Sequence, residues 1–167
     1  MPKVETFLKS RLAGAKNVAI LAIGSEFRAD DSAGLLVAEK LDKCIKKPHK
    51  RIKIFIGATA PENMTGDIKR FKPSHILIVD SVDIKEKPGT IVVLTTDEIG
   101  GGVSFSTHKM PAGILASYFA RSLGCDTVFI GIQPASIRFG EKLSKPVASA
   151  ASLVAADIIR ALKHTLK

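Results

Sequence analysis

The stretch AIGSEFRADDSAG (22–34) sets three carboxylates, Glu26, Asp30 and Asp31, between an apolar run and a helical pattern. Two more groups that could hold a cation or move a proton stand in comparable places. Asp80 ends the apolar run HILIVD, and His108 lies in the loop SFSTHKMP. Together Asp31, Asp80 and His108 make an O,O,N donor set, which suits a divalent transition metal with open positions. Each residue also has an ordinary role. A carboxylate such as Asp31 caps a helix and favours its positive end. Asp80 at the end of an apolar run is costly to bury unless a metal, an Arg or N–H donors meet it. A loop histidine is usually exposed. No local zinc pattern such as HExxH is present, so spacing alone leaves both readings open.

Competing chemistries are weaker. The opening stretch sits where a dinucleotide turn would sit, but it is not GxGxxG and has no GK[ST]. Its acids would repel phosphate unless a cation intervened. There is no GxSxG, and Ser25 and Cys125 have no evident base.

The elements that must position these groups follow from hydrophobic periodicity. Candidate strands are 17–23, 51–57, 75–80, 90–96 and 127–132, all short apolar runs rich in β-branched residues. Near-continuous apolar character predicts strands covered on both faces. Candidate helices are 2–12, 32–43, about 62–70, 111–123 and 145–165, with Asp31 or Ser32 as the N-cap of the second. Pro146 fits the first turn of the last. Strand–helix alternation of this kind predicts an α/β fold, a three-layer α/β/α sandwich with a central, mostly parallel five-stranded sheet. In such sheets ligands bind beyond the carboxyl ends of the strands, where Asp31, Asp80 and His108 could converge. Gly100, Gly101 and Gly102 make the approach to His108 conformationally free.

Length and composition narrow the class. A chain of 167 residues, 46% hydrophobic, suits one globular domain spanning 1–167. Within it, 1–16 reads as an N-terminal amphipathic helical extension, with Val4, Phe7, Leu8 and Leu12 on one face. No apolar run approaches the ~18 residues that span a bilayer, and the N-terminus lacks a signal-peptide core. A cytoplasmic protein without membrane contact is expected. Cys44 and Cys125 have no CxxC partner and read as buried or half-buried free thiols. His49 and His164 read as exposed, and His75, which starts a strand, as structural.

The formal net charge of +9 is uneven: residues 40–53 hold seven Lys/Arg against one Asp, a net +6. The segment has no aromatics for base stacking, so it reads as a solvated helix end and loop, not a nucleic-acid site.

Five ordered blocks carry a family resemblance. AIGSEFRADDSAG resembles the GxGNxxxxDDGxG opening motif of the hydrogenase maturation endopeptidases. GATAPEN, LIVDSVDIKEKPGTI, STHKMP and FIGIQP are similar, in the same order, to blocks of the subgroup that processes hydrogenase-3-type enzymes. The resemblance runs from about 17 to about 160. Three departures lie in the opening motif: Ala22 replaces its first Gly, Ser25 its Asn, and Ser32 the Gly after the acidic pair. A second-strand Asp of several members falls on Ile56.

The resemblance implies a protease that trims the C-terminal tail of a [NiFe] hydrogenase large-subunit precursor. It implies that nickel arrives with that precursor and is not tightly held by the free enzyme, and that the enzyme is a monomer. Carried over residue by residue, the family's metal-contacting positions fall on Asp31, Asp80 and His108. Cleavage could then use a metal-polarised carbonyl, a metal-activated water, or a carboxylate such as Asp31 or Glu26 as base. The departures also leave open a non-catalytic nickel-site-binding or carrier module on the same fold.

Overall fold

A computed structural model describes residues 4–45, 49–100 and 112–165. Five strands form one sheet: β1 (Val18–Ile23), β2 (Ile52–Ala58), β3 (His75–Ser81), β4 (Ile91–Thr95) and β5 (Asp126–Ile132). Their spatial order is β2-β1-β3-β5-β4. The first four in that order run parallel, and β4 is antiparallel to β5 at the edge. The helices are α1 (Val4–Arg11), α2 (Ala33–Cys44), α3 (Thr65–Phe71), α4 (Thr96–Gly100), α5 (Ala112–Leu123) and α6 (Lys145–Thr165). Single 3-10 turns, Ala29–Ser32 and Pro61–Met64, lead into α2 and α3.

Alternating side chains divide the core into two layers. Val18, Ile20, Leu77, Val79, Val128 and Ile130 pack against Leu8, Val37, Leu41, Val154 and Ile158 of α1, α2 and α6, and against Leu12 just after α1. Ala19, Leu21, Ile76, Ile78 and Phe129 pack against Ile68, Leu115 and Phe119 of α3 and α5. A period of two along a strand allows no other assignment once one face is fixed. The expected three-layer sandwich is therefore present. β1, β3 and β5 are covered on both faces, whereas the edge strands β2 and β4 are only partly covered.

Two local expectations change. Ser32 occupies the expected N-cap position of α2, but without a side-chain cap hydrogen bond: its Oγ–H donates back to the Ala29 carbonyl at 2.7 Å. The short α4 interrupts what reads as the end of a strand, because Glu98 Oε2 accepts hydrogen bonds from the Thr95 N–H and hydroxyl (2.7 and 3.0 Å) and turns the chain. Among the described residues no helix is long and apolar enough to cross a membrane.

α1 belongs to the core. Leu8 and Leu12 are fully buried, with Val4 and Phe7 partly covered beside them. Glu5 pairs with Arg160 of α6 at 2.7 Å, and Arg11 with Asp126 at 2.5 Å. Part of the basic segment is structural too: Arg51 donates to the Ala15 and Lys16 carbonyls, 2.8 Å each, at the end of the α1 region.

Candidate functional site

The chain leaves β1, crosses to β2 on one side, and returns to β3 on the other. In open α/β sheets the switch point, here between β1 and β3, is where a ligand crevice forms beyond the carboxyl ends of the strands. Asp31 follows β1 and Asp80 ends β3, so both border that crevice.

Strand parity sets how they arrive. Asp80 shares the parity of Ile76 and Ile78, on the α5 side. Ser81 shares that of Leu77 and Val79, the side on which α2 begins. Ser81 therefore meets the residue that leads into α2: its hydroxyl donates to Asp31 Oδ1 at 2.8 Å. The Ser81 N–H donates to Asp80 Oδ1 at 2.7 Å. One serine thus orients both carboxylates, and all three residues are at most 3% exposed.

Two glycines allow the close approach. A Cβ on Gly34 would lie 2.3 Å from the Ile23 carbonyl oxygen and 2.5 Å from that of Val79. Only glycine lets the start of α2 sit on the ends of β1 and β3. Gly24 has φ +142°, and a Cβ there would lie 1.9 Å from the Asp31 carbonyl oxygen. Both glycines fall on glycine positions of the motif quoted above, in AIGS and DDSAG. The three departures fit the same backbone: Ala22 is buried in β1, the Ser25 hydroxyl oxygen accepts from the Phe27 N–H at 3.4 Å, and Ser32 bonds Ala29. Ile56 sits in edge strand β2 opposite Ala22 and is half exposed.

Asp30 has a different task. Its Oδ2 accepts from the Ala135 and Ser136 N–H groups (2.7 and 3.3 Å) and the Ser144 hydroxyl (2.9 Å), and its Oδ1 from the Ser144 N–H (2.6 Å). A fully buried carboxylate with four donors is a clamp, holding the loop after β5 to the turn after β1. Ala29, just before it, is held at φ +47°, a strained geometry for a residue with a side chain. Glu26 is exposed.

Gln133, in FIGIQP, makes the matching clamp on the β3–β4 connection. Its Oε1 accepts from the Ile84 and Glu86 N–H groups (2.8 and 3.3 Å), and its Nε2 donates to Asp83 Oδ1 at 3.3 Å. The Lys85 ammonium beside Asp83 holds that carboxyl below its ordinary range.

The structure therefore brings Asp31 and Asp80 together. His108 lies outside the described residues, as do Gly101 and Gly102. Among the described residues no group of three or more His, Cys, Asp or Glu could hold a metal ion. Ser81 and Gln133 were missed by inspection of residue types. Ser81 directly follows Asp80, and strand parity was the signal that could have found it.

The other described histidines and the cysteines belong to other parts of the fold. His75 begins β3 at the opposite end of the sheet, with Nε2 4.0 Å from Asp126. Burial lowers its pKa, partly offset by Asp126. His49 and His164 are exposed. Both cysteines are free, Cys125 buried as expected and Cys44 exposed, because it closes α2 on the solvent side. Burial pushes the Cys125 thiol up. A groove of about 620 Å³ runs along edge strand β4 between α1 and α6, lined in part by Phe7, Ile91, Val93 and Leu153, and does not include Asp31 or Asp80.

Comparison with known proteins converges on one family. A model of hydrogenase maturation proteases matches residues 35–161, beginning just after the opening turn. The hydrogenase 3 maturation protease of Escherichia coli K12 is 33% identical over 135 residues, 81% of this chain and 84% of that protein. The crystal structure of the [NiFe] hydrogenase maturation protease HycI from Thermococcus kodakarensis superposes with a TM-score of 0.84 at 32% identity, covering 94% of this chain and 99% of that one. The solution structure of the endopeptidase HycI from Escherichia coli gives 0.71 at 31% identity, covering 84% and 87%.

Proposed function

Since the chain belongs to the hydrogenase maturation protease family, and is a peptidase, we propose that it removes the C-terminal tail of a [NiFe] hydrogenase large-subunit precursor once nickel is in place. The observation that carries this reading is the pair of buried carboxylates, Asp31 and Asp80, joined through Ser81 at the switch point between β1 and β3.

In this reading nickel is part of the substrate, held by the precursor. Asp31, Asp80 and His108 complete its coordination shell, and carboxylate and imidazole donors suit that ion. Nickel-free precursor presents nothing for these donors to hold, which makes the metal a recognition element. Asp31, fixed by the Ser81 hydroxyl, is the group we assign to proton transfer as water attacks the scissile carbonyl. The enzyme acts as a monomer in the cytoplasm and holds no nickel tightly by itself.

The test mixes the protein with nickel-loaded and nickel-free precursor and follows tail release by mass spectrometry. Cleavage of the loaded sample alone is expected, and Asp80→Ala or His108→Ala should abolish it. Processing at the normal rate by either variant would remove that residue from the site. Binding without cleavage would turn the reading to a carrier module.

A further inference from the structure

The turn that carries Asp31 also carries an aromatic residue that the chemistry does not use. Phe27 is 61% exposed, and Phe139, in the loop after β5, is 78% exposed. Their ring centroids lie 6.3 Å apart, so the two rings form one patch, with the half-exposed Ile137 in the same loop. Water is a poor neighbour for two large rings, and isolated exposure would need no comment, but a paired aromatic patch marks a contact surface.

The patch is held rigid from below. The Gly140 N–H donates to the Phe27 carbonyl at 2.9 Å, and Arg28 Nε to the Ile137 carbonyl at 3.2 Å. The four hydrogen bonds to Asp30 fasten the same loop to the same turn. Rings preset in this way lose little freedom on binding, which favours affinity. Three residues separate Phe27 from Asp31, so the rings stand on the same turn that carries Asp31.

We propose that Phe27 and Phe139 form a docking surface for an apolar segment of the hydrogenase precursor, next to the bond to be cleaved. This rests on the processing reading above and adds to it a determinant of substrate binding. Continuity with the crevice commits the surface to the substrate and not to a second copy of this chain. The charges beside the rings are mixed, Arg28 and Arg138 against Glu26 and Glu141, with Arg138 3.8 Å from Glu141, so the apolar face carries the contact.

The experiment compares the wild type with the double variant Phe27→Ser/Phe139→Ser and with Leu153→Ala, an exposed apolar control on α6 in the β4 groove that does not include Asp31 or Asp80. Processing kinetics, direct binding of nickel-loaded precursor, circular dichroism and light scattering are measured for each. The double variant should keep its fold and its kcat within about twofold, while KM and Kd rise about tenfold or more, and the control should match the wild type. Unchanged KM and Kd in a wild type that processes normally would overturn the docking surface and leave the protease reading intact. Binding that the double variant loses, in a wild type that does not cleave, would support the surface and overturn the protease reading. A wild type that neither binds nor cleaves overturns both. A wild-type dimer that the double variant dissolves would assign the rings to a second copy and overturn the proposal.

Discussion

The Ser81 hydroxyl donates to Asp31 Oδ1 at 2.8 Å across fifty residues of sequence, inside a site where both are almost fully buried. That contact ties the end of β3 to the start of α2. Ser81→Ala should remove it while leaving the backbone N–H bond to Asp80. A hydrogen bond to a charged group contributes about 1.5–3 kcal/mol, so a stability loss of that order is expected in urea titrations. Processing should fall at least tenfold as Asp31 loses its orientation. Normal processing in the folded variant would show that Asp31 needs no such support.

The adjacent acids should separate cleanly. Asp30→Ala removes the acceptor of the Ala135, Ser136 and Ser144 N–H groups, and a hydrogen bond to a charged group contributes about 1.5–3 kcal/mol. We expect its melting temperature to drop by several degrees, with processing lost only as far as folding is lost. Asp31→Asn should do the reverse, keeping the fold and abolishing tail release. The opposite pattern would exchange their roles.

Much of this was legible in the sequence, for identifiable reasons. Runs such as HILIVD are too apolar to be half-exposed strands, so β1, β3 and β5 and their parallel packing follow from periodicity. Asp31 and Asp80 stand out because carboxylates at strand ends need partners. Ser81 was not legible, since a serine in an apolar run has many uses and only the parity of β3 shows which way it points. The clamp role of Asp30 depends on a loop more than a hundred residues away, which no local pattern encodes. The start of α4 is set by one side chain, Glu98, turning back on Thr95, a local bond that competes with strand propensity.

Gly34 should tolerate no side chain. With Ile23 and Val79 carbonyl oxygens 2.3 and 2.5 Å from an added Cβ, Gly34→Ala must push α2 off the sheet. Those contacts are backbone and cannot swing aside. We expect a loss of about 1–3 kcal/mol, the range of overpacked cores, and a displaced Asp31. Thermal denaturation and processing assays check both. Wild-type stability would mean that α2 can slide without cost.

His75 gives the protein a pH dependence far from the site. Burial lowers its pKa below the ordinary value of 6.5. The unfolded chain then takes up the proton more readily than the folded one. Its contribution to stability is full above about pH 6.5 and is lost as pH falls from there through the lower folded value. The carboxylates Glu5, Asp83 and Glu98, whose pKa values are lowered by their partners, act in a separate and more acidic window. Urea titrations between pH 7.5 and 5 should show a decline that His75→Gln flattens. An unchanged slope in that variant would locate the proton uptake elsewhere.

The N-terminal helix offers the last test, because it lies outside the motif blocks yet inside the core. Leu8 and Leu12 are completely buried between α1 and α6. Truncating a buried leucine costs about 2–5 kcal/mol, including the cavity left behind. Leu8→Ala should therefore lower stability by that amount, although it is remote from Asp31. Its effect on processing should vanish when rates are corrected for the folded fraction. A lower rate per folded molecule would mean that α1 also governs the crevice, through α6 and the Ser144 contacts that precede it.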